Sequence, residues 1–222
     1  MPLIIKENIP GDCILGVWKI EEPGEFLHQQ SRLTTTEENY YHTLVNQLRR
    51  KQWLSYHAII AHLLGKEGIE LNYDPFGKPH FKDKSHFLSV SHSGEYSAVI
   101  LSKTIPVGID IEKIRDRIER VKDMFLSKEE LIHIGSLNRM EKLVIYWGAK
   151  EALYKIYGNP ELLCMQDISI EPFDYLCSGE GSTCALIKNT KKTEKYTIFY
   201  RKIVDYMLVY AFKMNKGRKL YD

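Results

Sequence analysis

The chain has 222 residues, 44% hydrophobic and 27% charged, with a formal net charge of +2. This is ordinary globular usage, which excludes a disordered or fibrous polymer, and the length suits one large domain or two small lobes. Uncharged apolar runs such as Tyr96 to Leu101 fall far short of the ~20 residues of a membrane span, and MPLIIKENIP lacks the apolar core and cleavage site of a secretory signal. The expectation is a soluble, cytoplasmic protein. Cys13, Cys164, Cys177 and Cys184 form no CxxC pair, which points to reduced, partly buried thiols rather than a zinc or disulfide framework. From Gly181 to Asp222 there are ten Lys/Arg against three Asp/Glu. That excess either attracts an anionic partner or is a solvated surface; without interleaved aromatics it does not point to nucleic acid.

In chain order, β-branched and aromatic residues predict a first strand over 13–20. Thr35-x-x-Glu38 has the capping-box form and opens a helix. Tyr41, Leu44, Leu48, Leu54, Ile59, Ile60 and Leu63 continue that helix from Glu37 to Leu64, with Gly65 as the stop. Asp74-Pro75-Phe76-Gly77-Lys78-Pro79 reads as a turn or loop. Strands follow over 86–92, 96–102 and 106–112. A second capping box, Ser127-x-x-Glu130, precedes a long helix from Arg139 to Tyr157, ended by Gly158-Asn159-Pro160. The last strands are expected over 194–201 and 205–212.

The chain repeats itself. Leu15-Gly16-Val17-Trp18-Lys19-Ile20-Glu21 echoes Val107-Gly108-Ile109-Asp110-Ile111-Glu112, and both Gly16/Gly108 and Thr35/Ser127 are 92 apart. Trp53-Leu54-Ser55-Tyr56-His57-Ala58 matches Trp147-Gly148-Ala149-Lys150-Glu151-Ala152 at an offset of 94, which sets His57 against Glu151. The spacing predicts two related α/β lobes, 1–103 and 104–222; the alternative is chance similarity between short islands. With no low-complexity linker, they are expected to pack closely.

Three constellations carry chemistry. Asp110 and Glu112 are two apart in a predicted strand, so both carboxylates face one side of the sheet. Such a pair suits Mg2+, or it is a solvated strand end with Glu112 paired to Lys113 or Arg115. Glu151 and Lys155 share a helix face. They are either a surface ion pair or, given the flanking Tyr146, Trp147, Ala149, Ala152, Leu153 and Tyr154, the charged edge of something packed. In Ser89-Val90-Ser91-His92-Ser93 the hydroxyls alternate onto one face, and His92 falls where the strand turns into a loop. These groups could contact phosphate oxygens or satisfy turn backbone. No G-x-S-x-G elbow and no G-x-x-x-x-G-K-[ST] loop is present.

Phe76-Gly77-Lys78-Pro79, Ser91-His92-Ser93, Val107-Gly108-Ile109-Asp110-Ile111-Glu112 and Trp147-Gly148-Ala149-Lys150-Glu151-Ala152-Leu153-Tyr154-Lys155, in this order, resemble the 4′-phosphopantetheinyl transferases. The closer likeness is to the double-length, surfactin-synthetase-activating type, and it covers roughly residues 45–160. The resemblance implies an α/β (α+β) fold of two similar lobes related by a pseudo-two-fold axis, with the active site between them. It implies transfer of 4′-phosphopantetheine from coenzyme A to a serine of an apo acyl or peptidyl carrier protein, releasing adenosine 3′,5′-bisphosphate.

By the same resemblance, Asp110, Glu112 and Glu151 hold Mg2+. Glu151 or a metal-bound water takes the serine proton, and Lys155 neutralises charge on the transferred phosphoryl group. Lys78, Ser91 and His92 bind the coenzyme A phosphates, Gly77 and Pro79 shape the loop near the adenine, and Lys150 is a second phosphate contact. The family's R-R-x-x-x-L-x-x-R pattern ends here in His57, after Arg49-Arg50-Lys51. That substitution leaves 3′-phosphate recognition weaker, pH-dependent, or delegated to Arg50 or Lys51. The segment 115–138 is expected to grip an acidic carrier through Met124, Phe125 and Leu126 amid Arg115, Arg117 and Arg120, or else to be a loop and helix covering the core. A monomer is the expected state. A noncatalytic coenzyme A or carrier-binding module and a metal-dependent phosphodiesterase are the competing readings.

Overall fold

A computed structural model describes residues 3–66, 68–158, 167–189 and 192–213. Asn159 and Pro160 of the predicted helix stop, Cys164, and residues 214–222 of the basic C-terminal stretch lie outside them. The chain divides into two compact units, Met1–Thr104 and Ile105–Asp222, and its architecture is mixed α/β.

The first unit is an antiparallel sheet backed by helices. Its strands are β1 (Leu3–Ile9), β2 (Cys13–Lys19), β5 (Phe87–Ser93) and β6 (Tyr96–Ser102), in the order β1-β2-β6-β5. A two-stranded ribbon, β3 (Leu71–Tyr73) with β4 (Pro79–Phe81), holds the Asp74–Pro79 turn. The helices are α1 (Gly24–Ser31), α2 (Thr35–Thr43) and α3 (Gln47–Leu64), and α3 packs on β2, β6 and α1. Trp18, Leu54, Ile59, Ile60 and Val99 are nearly solvent-free in the core between them.

The continuous helix expected over 37–64 is two helices. Leu44 leaves helical geometry, and Asn46 starts α3 afresh by accepting the Arg49 N–H at 2.9 Å. The first capping box is one residue earlier than expected. Thr34 Oγ1 accepts the Glu37 N–H at 3.4 Å, and Glu37 Oε2 accepts the Thr34 N–H at 3.0 Å. Strand β5 runs on through Ser93, so His92 belongs to the strand, paired with Ser97, instead of to a loop. Helix α1 and strands β1, β3 and β4 have no counterpart in the sequence reading; the strands are edge or three-residue pieces whose signal is weak.

The second unit has strands β7 (Val107–Lys113), β8 (Ile168–Ile170), β9 (Glu180–Asn189), β10 (Lys192–Ile203) and β11 (Tyr206–Phe212), in the antiparallel order β7-β11-β10-β9-β8. Helices α4 (Arg117–Val121), α5 (Lys128–Ile134) and α6 (Arg139–Tyr157) complete it. Helix α6 has the expected bounds, and Gly158 caps it in the left-handed region at φ 74°. It lies across β7 and β11, and two glycines permit this. A Cβ on Gly108 would stand 1.9 Å from the Ala152 carbonyl oxygen, and one on Gly148 would stand 2.8 Å from Val209. Gly108→Ala is therefore expected to destabilise the protein by about 1–3 kcal/mol or more through overpacking against backbone that cannot give way. A urea midpoint equal to that of the parent chain would contradict this crossing. Gly16 plays the same part in the first unit, its missing Cβ facing Ile59 on α3 at 2.5 Å.

Candidate active site

Strand alternation puts Gly108, Asp110 and Glu112 on the side of β7 that faces α6. Asp110 is 5% exposed, and its Oδ2 lies 3.5 Å from where a Gly148 Cβ would stand. From α6, the Lys155 ammonium donates to Asp110 Oδ1 at 2.9 Å and to the Ile109 carbonyl at 2.8 Å. Lys155 is thus engaged with the strand, not held in a surface pair with Glu151. Lys113 pairs with Asp205 at 2.9 Å, so it is not the partner of Glu112 that a solvated strand end would supply.

Glu151 is half-buried on α6. Burial raises its pKa first, then the charges of Asp110 and Glu112; Lys155 opposes them. Asp110, Glu112 and Glu151 act on one another electrostatically. Together with one ammonium they form an oxygen-rich set of net negative charge, the kind of donor chemistry a hard divalent cation takes. Among the described residues no three His, Cys, Asp or Glu side chains already stand in liganding geometry.

Lys150 is placed otherwise than expected. It is 1% exposed, donating to the Phe125 carbonyl at 2.6 Å and to Glu130 Oε2 at 2.8 Å. A phosphate contact from this position is excluded by burial: the ammonium points into the core of its own unit. Glu130 in turn accepts the Ser127 N–H and the Ile170 N–H, each at 2.9 Å.

In the first unit His57 also departs from expectation. It is 4% exposed, packed beside Trp53 and Tyr56 with ring centroids at 4.0 and 4.8 Å, and its Nδ1 lies 3.7 Å from Glu37 Oε1. Burial lowers its pKa to about 3, so the ring is neutral and closed off from any phosphate. His57 and Lys150 each lie beside a buried capping-box glutamate, Glu37 and Glu130. They are 93 residues apart, as are Thr34/Ser127 and Glu37/Glu130, and Glu37 Oε1 accepts a strand N–H, that of Leu71, as Glu130 accepts that of Ile170.

The neutral ring has a testable cost in acid. The unfolded imidazole takes up a proton below pH 6.5, while the folded one resists until about 3. Stability is therefore full above that upper value and is lost as pH falls through the interval. His57→Gln is expected to flatten the fall of the urea midpoint between pH 6.5 and 4. An unchanged slope would place the proton uptake elsewhere.

Arg50 is also occupied. Its guanidinium lies 5.4 Å from the Tyr41 ring centroid and donates to the Leu44 carbonyl. Lys51 donates to the Glu22 carbonyl at 3.0 Å. The arginine that reaches His92 is Arg49, exposed on the first turn of α3. Its adjacency to Arg50 is the one sequence signal that points to it. Ser91 is buried and His92 half-buried on β5. Lys78 is half-buried, its pKa lowered by burial. Asp74 Oδ1 accepts the Phe76 and Lys78 N–H groups, both at 2.9 Å, and Gly77 takes φ 81° to close the turn. Pro79 is buried in β4 opposite Tyr73. In the segment 115–138, Met124 is 74% exposed, but Phe125 at 1% and Leu126 at 8% belong to the core. The apolar side chains presented there are Met124, Ile132 and Leu137, with Arg115, Arg117 and Arg120 exposed.

Residues 106–199 match the family model of the 4′-phosphopantetheinyl transferase superfamily. The chain is 32% identical over 117 residues to the 4′-phosphopantetheinyl transferase AcpT of Escherichia coli O157:H7, covering 50% of this chain and 60% of that protein. It is 25% identical over 162 residues to the 4′-phosphopantetheinyl transferase gsp of Aneurinibacillus migulanus, covering 72% and 62%. It is 29% identical over 112 residues to the 4′-phosphopantetheinyl transferase Sfp of Bacillus subtilis strain 168, covering 48% and 49%. The chain thus spans about half to 62% of the length of these curated relatives.

Proposed function

We propose, from the 4′-phosphopantetheinyl transferase superfamily domain that residues 106–199 carry, that the protein is a Mg2+-dependent transferase loading 4′-phosphopantetheine from coenzyme A onto a serine of an apo carrier protein. The observation that carries this is geometric: Lys155 of α6 donates to Asp110 Oδ1 at 2.9 Å, and half-buried Glu151 stands one turn earlier on the same helix.

In this reading the serine oxygen attacks the β-phosphorus of coenzyme A. The P–O bond to the bridging oxygen breaks, and its electron pair leaves with adenosine 3′,5′-bisphosphate. Glu151, or a water held by the cation, would receive the serine proton, and Lys155 would balance charge on the transferred phosphoryl oxygens. Asp110, Glu112 and Glu151 would hold Mg2+, which when bound supplies positive charge for the pyrophosphate. Arg49, His92, Ser91 and Lys78 are assigned to the coenzyme A phosphates, with Arg49 taking the part expected of position 57. Arg115, Arg117 and Arg120 with Met124, Ile132 and Leu137 suit an acidic, partly apolar carrier surface. The matching use of Gly16 and Gly108, and of Glu37 and Glu130, supports two similar lobes of common descent. A monomer working in the cytoplasm, where coenzyme A and apo carriers meet, completes the reading.

Incubation with coenzyme A, Mg2+ and an apo carrier, followed by weighing the carrier, tests it. The expected result is a gain of one phosphopantetheine arm. Binding without a gain in mass would instead support a carrier-binding module, and coenzyme A cleavage without carrier a phosphodiesterase.

A further inference from the structure

Glu130 lies 21 residues before Glu151 and has no part in the chemistry above, yet its carboxylate joins three elements. It closes the α5 cap through Ser127 N–H, holds β8 through Ile170 N–H at 2.9 Å, and grips α6 through Lys150 at 2.8 Å. Lys150 adds the Phe125 carbonyl at 2.6 Å. Both side chains are almost solvent-free, 1% for Lys150 and 4% for Glu130. Charged groups bonded in this geometry are directional and tolerate little rotation.

Lys150 immediately precedes Glu151, so whatever fixes the turn of α6 about its axis at Lys150 also aims Glu151. A rotation of about 20° would carry a carboxylate ~6 Å from the axis through roughly 2 Å, and misplacement by about 1 Å can cost ~100-fold in rate. The Gly108 and Gly148 contacts set how closely α6 approaches the sheet, and Lys155 ties the helix to Asp110 one turn beyond Glu151; Lys150 is the charged tie at the position next to Glu151. The first unit makes a useful contrast. There the same place holds a neutral histidine 3.7 Å from Glu37, and the residue that follows, Ala58, has no polar side chain to aim.

We infer that the buried Glu130–Lys150 pair is a positioning device that sets the rotation of α6 and so aims Glu151 at Asp110 and Glu112. This rests on the transferase reading for its kinetic consequence, not for its structural one. Glu130 and Lys150 are positioning residues; neither touches a reacting atom.

The test is the volume-conserving double variant Glu130→Gln/Lys150→Met in the full chain, which removes both charges together and leaves no lone buried ion. Expected are a folded protein, kcat lowered at least ~10-fold and KM for coenzyme A within ~2-fold of the parent, since the phosphate contacts are elsewhere. A kcat within ~2-fold of the parent overturns the inference. So does failure of the double variant to fold, which would assign the pair to stability alone. A crystal structure of the variant reads aim without turnover. Displacement of the Glu151 carboxylate from Asp110 by about 1 Å or more supports the device, and an unmoved carboxylate sinks it. If the parent chain loads no carrier, the transferase reading falls and this structural comparison still decides the inference.

Discussion

Asp110→Ala is expected to lower carrier-loading turnover at least ~100-fold while the protein stays folded, the scale of removing one preorganised charge-stabilising group. Asp110 does three things at once. It supplies a carboxylate to the acidic set, holds Lys155 by a 2.9 Å charged hydrogen bond, and helps keep the Glu151 pKa raised. Its loss unfixes Lys155 and weakens Glu151 as a proton acceptor together, so the effect falls on kcat more than on binding. The fold should survive because Lys155 is 25% exposed and can turn its ammonium to water, and because the Ile109 carbonyl remains as an acceptor. Steady-state rates with an apo carrier, beside circular dichroism of the same preparation, check both halves. Turnover within ~10-fold of the parent in a folded variant would remove Asp110 from the chemistry.

The largest stability effect is expected from Lys150→Met. Deleting one partner of a buried, hydrogen-bonded ion pair costs about 3–5 kcal/mol, because the other charge is left desolvated. Here the stranded group would be Glu130, 4% exposed and still required by the Ser127 and Ile170 N–H groups. Typical domains hold only ~5–15 kcal/mol in total, so the single variant should lose a large part of its urea midpoint. Glu130→Gln in the same chain should restore part of that loss, since it removes the stranded charge while its single amide oxygen accepts only one of the Ser127 and Ile170 N–H groups. Equal midpoints for the single and double variants would mean the penalty is lost packing around Lys150, not an orphaned charge.

Local periodicity carries part of the candidate site. Period two in Gly108–Asp110–Glu112 placed both carboxylates toward one side, and period 3.6 in α6 placed Glu151 and Lys155 together; these are local rules. Lys150 was misread because its neighbours in sequence, Trp147 and Glu151, say nothing about which side of the helix is covered. Its burial comes from Phe125 and Glu130, at least 20 residues away. The same holds for His57, whose polar neighbour Glu37 lies 20 residues earlier in the chain. Arg49 and Arg50 look alike in sequence, and only the place of β5 shows that the first meets His92 while the second is held by the turn at Leu44.

By itself, the order of residues determined the α/β composition, the extent of α6, the capping box at Ser127–Glu130, and the shared faces of Asp110 with Glu112 and of Glu151 with Lys155, because each depends on backbone geometry within a few residues. Tertiary structure alone decided which charged side chains are buried partners and which are available for chemistry. Desolvation depends on what packs over a group, and in each unit the covering groups come from distant parts of the chain.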